Sequence, residues 1–332
     1  MNCSSINLRP ELDGEFWMIG DNPDLGALQG KRKSDIIPAG CHRQECVDHH
    51  VFQTDDGAWH LWGCVRGTAV GRILYHWESK NLTDSNWEKT GEVIRVDVNA
   101  GESIDDMFGE EFIQSPYIIR DNGLFHMFYG GHSTGLYKKD MPEVAPGIKI
   151  MECQMCMMTS NDGRHWTRFK NNVGESRIFI SPGEVRDPCL IKIKDLWHLY
   201  YTGHELINNE ILPGVFVRIS NDLINWTKYT LVHRDRNSRF GTSNWDTECP
   251  LVVERNGYYY LFRTESYAPA ARTHVFRSKN PYDFGIGSAE DKYISIMNIA
   301  APEIIVDQDG QEYITSNHYL DGGTQMCRLK WV

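Results

Sequence analysis

Five short apolar runs recur along the chain, and the residues just ahead of them are Asp48, Ser115, Asp187, Glu248 and Ala301. Three of these five are acids, in a strand-entry setting where acids are disfavoured. If the runs converge, three carboxylates share one pit. Their ionised forms repel, so at least one keeps its proton to higher pH than usual. One carboxyl held protonated and one held ionised is the pair that cleavage of a glycosidic bond uses. Turn capping or a nearby arginine would explain any one of them alone. Three in register point to a shared site.

A repeat must bring them together. Residues 49–62, 116–128, 188–200, 250–262 and 302–315 each read as an apolar run, a turn and an aromatic-rich strand. Asp56-Gly57, Asn122-Gly123, Asn256-Gly257 and Asp309-Gly310 supply the turns, because tight hairpins need positive φ there. A second punctuation follows in four units: Ser79 to Trp87, Ser160 to Trp166, Ser220 to Trp226 and Ser278 to Phe284. With about four strands per unit and a period of about 60 residues, the pattern predicts an all-β, five-bladed β-propeller with four antiparallel strands per blade. No segment carries the sustained helical periodicity that an α/β barrel requires. The reading is therefore one catalytic domain over 1–332. Residues 1–40 are expected to wrap the blades or help close the ring. In a propeller the first strand of each blade lines the axis, which would place the five entry residues around one funnel.

Bulk properties narrow the function. The 332 residues carry a formal charge of −11 and no basic block, which argues against a nucleic-acid partner. No run approaches the roughly 20 apolar residues that span a bilayer, so no membrane partner is expected. No charged segment followed by an apolar stretch opens the chain, and the expected location is cytoplasmic. Nine cysteines in no framework spacing fit reduced thiols. Cys153 and Cys156 form a C-x-x-C inside a strand-like run, without the further ligands of a zinc site. No metal or cofactor is expected in the site.

Arg186-Asp187-Pro188 and Glu248-Cys249-Pro250 resemble the Arg-Asp-Pro and Glu-Cys-Pro signatures of glycoside hydrolase family 32. The wider plan also resembles family 43, the arabinofuranosidases and xylosidases. The resemblance covers nearly the whole chain and implies a five-bladed propeller that removes a terminal furanoside unit, fructosyl or arabinosyl. It implies Asp48 as nucleophile or general base, Asp187 as transition-state stabiliser and Glu248 as general acid. Arg186 would orient a carboxylate or a sugar hydroxyl. Two departures stand out. Where family 32 opens with a Trp-Met-Asn-Asp-Pro-Asn-Gly motif, this chain has 45–50 around Asp48; a partial echo at Asp21 lies too far upstream. The C-terminal β-sandwich of family 32 is also not expected here, which brings the single-domain family 43 plan forward.

Further substrate contacts are expected from His49 or His50, whose side chains alternate, from Gln114 and Ser115 at the second-unit mouth, and from Trp245 as a stacking surface. His132 and His204 could reach the rim. A structural calcium near His318 at the axis is an added option. The expected partner is an oligosaccharide or glycoside. Competing readings are a phosphorylase or transglycosidase on the same scaffold, with Arg263 and Arg272 as candidate cations, and a non-catalytic carbohydrate-binding propeller.

Overall fold

The computed structural model describes residues 8–30, 45–102, 104–105, 110–131, 143–145, 148–149, 153–181, 185–208, 210–241, 246–267, 270–317 and 322–332. Apart from three single-turn 3₁₀ helices, every element among them is a strand. The N-terminal strand is β1 (Pro10–Gly20). A first sheet follows: β2 (Glu45–Gln53), β3 (Trp59–Thr68), β4 (Gly71–Ser79) and β5 (Glu88–Ile94). Next come β6 (Ile104–Asp105), β7 (Glu110–Asp121), β8 (Leu124–Gly131), β9 (Glu143–Ala145), β10 (Ile148–Lys149), β11 (Cys153–Ser160), β12 (Thr167–Arg168) and β13 (Arg177–Ser181). Of these, β7, β8 and β11 form the body of a second unit, with β12 and β13 on its outer edge.

Two regular four-stranded antiparallel sheets come next. One is β14 (Val185–Ile193), β15 (Leu196–Ile207), β16 (Glu210–Ser220) and β17 (Thr230–His233). The other is β18 (Glu248–Arg255), β19 (Tyr258–Ser266), β20 (Arg272–Ser278) and β21 (Tyr293–Met297). The last sheet holds β22 (Ile304–Val306), β23 (Glu312–Asn317) and β24 (Thr324–Trp331), and its fourth strand is β1, antiparallel to β24. Strands from both ends of the described chain thus share one sheet.

Hairpin turns follow from local chemistry. Asn122-Gly123 and Asn256-Gly257 have positive φ at both residues and join strands through two-residue loops. Lys194-Asp195 makes the same turn without glycine, at φ 48° and 65°. The outer Ser-Asn-Asp turns are fixed by side chains. Asp162 accepts the N–H groups of Arg164 and His165, and Asp222 those of Ile224 and Asn225. The first two units are fused where β4 pairs in parallel with β7 at Gly71 and Glu111. Gly71 has φ 121°, and a Cβ there would sit 2.2 Å from the Glu111 carbonyl oxygen, so only glycine fits.

Apolar side chains fill the seams between sheets. Trp62, Cys64, Ile113 and Met127 pack together between the first two units. Leu199, Tyr200, Leu251, Phe262, Ile314 and Leu329 run on continuously through the last three. Each such large side chain contributes about 1.5–3 kcal/mol on burial. The first strands of successive units are neighbours: β2 packs on β7, β7 on β14, β14 on β18, and β2 also on β23.

Deleting residues 1–20 would uncover the whole edge of β24. The expected result is a melting temperature lower by more than about 10 °C, or insoluble protein, because an open edge both loses stability and recruits other chains. Circular dichroism melting checks this, and an unchanged melt would refute the role given to β1.

Candidate active site

The heads of the first strands are kinked in one way. Ser115, Asp187, Cys249 and Ala301 have φ of 52°, 56°, 48° and 48°. Each precedes a proline: Pro116, Pro188, Pro250 and Pro302. Left-handed backbone is uncommon for such residues, and a residue before proline ordinarily stays extended. The pairing register slips at the same point in β7, β14 and β18, between Gln114 and Tyr117, Arg186 and Cys189, and Glu248 and Leu251. In β2 the slip falls between Cys46 and Asp48. Such bulges re-aim side chains. Here they turn the kinked residues into a pit lined by Asp48, His49, Ser115, Asp187, Cys249, Ala301, Glu303 and the four prolines.

One sequence expectation is corrected by this register. Glu248 does not stand at the position equivalent to Asp187; Cys249 does. Glu248 is one residue earlier, level with Arg186 and Gln114. Its carboxylate is still drawn to the group, because Arg186 Nη2 donates to Glu248 Oε1 at 2.5 Å. Arg186 Nε lies 3.5 Å from Asp187 Oδ2, so one buried guanidinium faces two of the acids.

Ser115 links the other pair. Its hydroxyl lies 2.7 Å from Asp187 Oδ1 and 3.0 Å from Asp48 Oδ2. A hydroxyl has one proton to give. With Ser115 donating to Asp187, the Ser115–Asp48 contact becomes a hydrogen bond only when Asp48 itself carries a proton. Asp187 has other donors, the Cys249 N–H at 3.0 Å and the Arg186 charge. Asp48 is accordingly the member that protonates: burial, then the charge of Asp187, pushes it up to about 6. Burial also raises Glu248, against the opposing charge of Arg186. The Cys249 thiol sits 3.6 Å from Asp48 Oδ1 and 3.1 Å from the Tyr267 hydroxyl. Burial holds it well above the ordinary thiol range, so it keeps its proton.

The remaining candidates separate. His49 lines the pit and lies with Nε2 2.7 Å from Thr315 Oγ1; burial lowers it to about 3, so the ring is neutral. His50 turns elsewhere, its ring 4.2 Å from that of Tyr117 and its Nδ1 3.4 Å from Glu303 Oε2. Gln114 is buried and accepts from Arg72, whose charge also reaches Asp48. His204 is buried on β15 opposite Pro213, neither solvated nor among the pit-lining residues. His132, Trp245 and His318 lie outside the described residues. Asp21 is paired with Lys89 at 2.6 Å on the surface. Arg263 is buried on the backbone oxygens of Asp246 and Phe240, and Arg272 pairs with Glu265, so neither stands in the pit. Sequence reasoning missed Glu303, the third carboxyl of the lining beside Asp48 and Asp187, whose proton affinity burial raises. Its signal was its place two residues after the kinked Ala301. Among the described residues two clusters have metal-ligand composition: Asp48, Asp187 and Cys249 in the pit, and His60, His76 and Glu78 away from it. Cys153 and Cys156 are buried free thiols of β11.

No protein-family profile and no curated protein sequence matches the chain. Solved structures do. A thermostable family-43 glycoside hydrolase superposes with a TM-score of 0.59 at 15% identity, over 91% of this chain and 92% of that one. An exo-1,5-α-L-arabinanase from a bovine ruminal metagenomic library gives 0.58 at 15%, over 88% and 95%. The Bombyx mori family-32 β-fructofuranosidase gives 0.55 at 17%, over 87% of this chain and 61% of that one. The chain has the fold of these family-43 and family-32 enzymes. The motif resemblance read from Arg186 to Pro188 and Glu248 to Pro250 therefore agrees with the fold.

Asp48 offers a stability test. Its folded-state proton affinity is raised, so its ionised form opposes folding; that penalty grows as pH rises from the ordinary carboxylate range and is complete above about 6. Asp48→Asn should therefore melt a few degrees above wild type at about pH 8, with the gap closing by about pH 4. Equal melting at both pH values would contradict the shared-proton geometry.

Proposed function

We propose that this protein is a glycosidase that removes a terminal furanoside unit, fructosyl or arabinosyl, in a pit on the axis of a five-bladed propeller. The observation carrying this reading is the contact set Asp48–Ser115–Asp187 with Glu248 held through Arg186. Separated proton affinities among neighbouring carboxyls are what acid/base cleavage needs. The five-unit strand pattern, with β1 completing the last sheet, supports the blade count. The likeness in fold to glycoside hydrolases supports a carbohydrate substrate.

In this reading Glu248 protonates the departing oxygen, which its burial favours. Asp48 acts ionised, as nucleophile or as base toward water, and is available above about pH 6. Asp187, held by two hydrogen-bond donors and the Arg186 charge, stays in place to accept sugar hydroxyls and to oppose positive charge at the anomeric carbon. The pit suits a chain end.

Wild-type protein should release sugar from at least one of a panel of p-nitrophenyl furanosides, sucrose, inulin and arabinan. Asp48→Asn should release none. Glu248→Gln should lose about 10²-fold or more on substrates with poor leaving groups and far less on aryl glycosides, because only the former need a proton. No release by wild type, or retained rates in both variants, would overturn the proposal.

The pH profile gives a second check. kcat/KM should rise with pH through about 6 as Asp48 ionises. The Arg186 charge lowers both carboxyls. Arg186→Gln should therefore shift the Asp48 limb to higher pH, and a limb that stays put would refute its electrostatic part.

A further inference from the structure

A second cluster, unrelated to the pit, lies on one face of the first sheet against the 160–166 turn of the second unit. His60 of β3 and His76 of β4 stack with ring centroids 5.1 Å apart, and His60 Nδ1 lies 2.9 Å from His76 Nε2. Glu78 Oε2 is 3.8 Å from the same His60 Nδ1. Both rings are fully buried, between Phe52 on one side and Trp62 on the other. A neutral imidazole carries one N–H and one bare nitrogen.

Counting hydrogens shows what is missing between the rings. Thr54 gives its hydroxyl proton to Asp56 Oδ1 at 2.5 Å or to the Ala58 carbonyl at 3.2 Å. Its oxygen, 2.9 Å from His60 Nε2, must then accept, so Nε2 carries the His60 hydrogen and Nδ1 is bare. At the far end, Thr90 donates to the His76 carbonyl at 3.1 Å, and its oxygen lies 3.1 Å from His76 Nδ1. Glu92 Oε2 lies 3.3 Å from the same nitrogen and is buried with no hydrogen-bond donor. Two acceptors thus face His76 Nδ1, which places the His76 hydrogen there and leaves Nε2 bare. Two lone pairs then point at each other across 2.9 Å with a carboxylate oxygen beside them. That arrangement calls for a cation.

We propose that His60 Nδ1, His76 Nε2 and Glu78 Oε2 bind a divalent transition metal, with zinc the best fit. Two imidazoles and one carboxylate form a familiar zinc donor set. Tetrahedral zinc with bonds of about 2.0–2.1 Å separates its ligands by about 3.3 Å, so the rings need part by only a few tenths of an ångström. Each imidazole then donates its outer N–H, His60 to Thr54 and His76 to Glu92, the outer-shell pattern that fixes metal-bound histidines. The fourth position opens toward Arg164, which pairs with Glu78 and is 40% exposed, so it can swing into solvent and leave Oε2 to the ion. The ion would bind two strands of the first sheet, β3 and β4, together at its seam with the second unit.

The test uses the full chain stripped of metal with a chelator. Zinc is titrated by calorimetry and cobalt(II) by visible absorption. Wild type should take up one equivalent, and so should Cys249→Ser, which removes the thiol of the pit cluster. Glu78→Gln and His76→Gln should each weaken binding at least tenfold, and Glu92→Ala about tenfold. Should His76→Gln fail to fold, Glu78→Gln, at a side chain 20% exposed, decides. No uptake by wild type would mean that only a proton bridges the rings and would overturn the proposal. Binding lost in Cys249→Ser but kept in Glu78→Gln would overturn it as well.

Discussion

The site depends on a backbone constraint: a left-handed kink immediately before proline, repeated at Ser115, Asp187, Cys249 and Ala301. Such a conformation costs about 1–3 kcal/mol at each position and persists only where the surroundings over-determine it. Those surroundings are visible. Cys249 N–H is held by Asp187, Ala301 N–H by Thr264, and Ser115 is fixed by two carboxylates. The kinks support one another across the strand heads, each donor belonging to one unit and its acceptor to another. Proline then leads the chain down the strand into the apolar seams.

What the kinks assemble is a proton shortage. Ser115 has one hydrogen for two carboxylates, and lies nearer Asp187, which also accepts the Cys249 N–H and faces Arg186. Asp48 is left to take its own proton near neutrality or to sit ionised beside a like charge. This is unfavourable for folding and useful for acid/base chemistry, the usual bargain at functional sites. Arg186 keeps the penalty finite by facing both Asp187 and Glu248. The His60–His76–Glu78 cluster poses the same problem on imidazole rings, lone pairs without enough protons.

Much of the architecture was legible because strand period, turn residues and prolines recur together. Asp56-Gly57 and Asn256-Gly257 announce hairpins by chemistry alone, and four X-Pro steps mark the strand heads. The single-residue offset of Glu248 was legible in the Cys249-Pro250 step, but the bulge that turns Cys249 to the axis was not. Ser115 could be placed at the mouth, but a proton shared between two acids from different units exists only in three dimensions. Glu303 was hidden behind Ala301, which occupies the equivalent position. His60 and His76 are sixteen residues apart on paired strands, a spacing that carries no motif.

The most direct test is a carboxyl ¹³C NMR titration of Asp48, in wild type and in Asp187→Asn. The account predicts that Asp48 titrates near pH 6 in wild type. Neutralising residue 187 removes the like charge, so the midpoint should fall toward the ordinary carboxylate range in the variant. A midpoint already in the ordinary range in wild type, or one that Asp187→Asn leaves in place, would contradict the claim that the kinked strand heads force these two acids to share one proton donor.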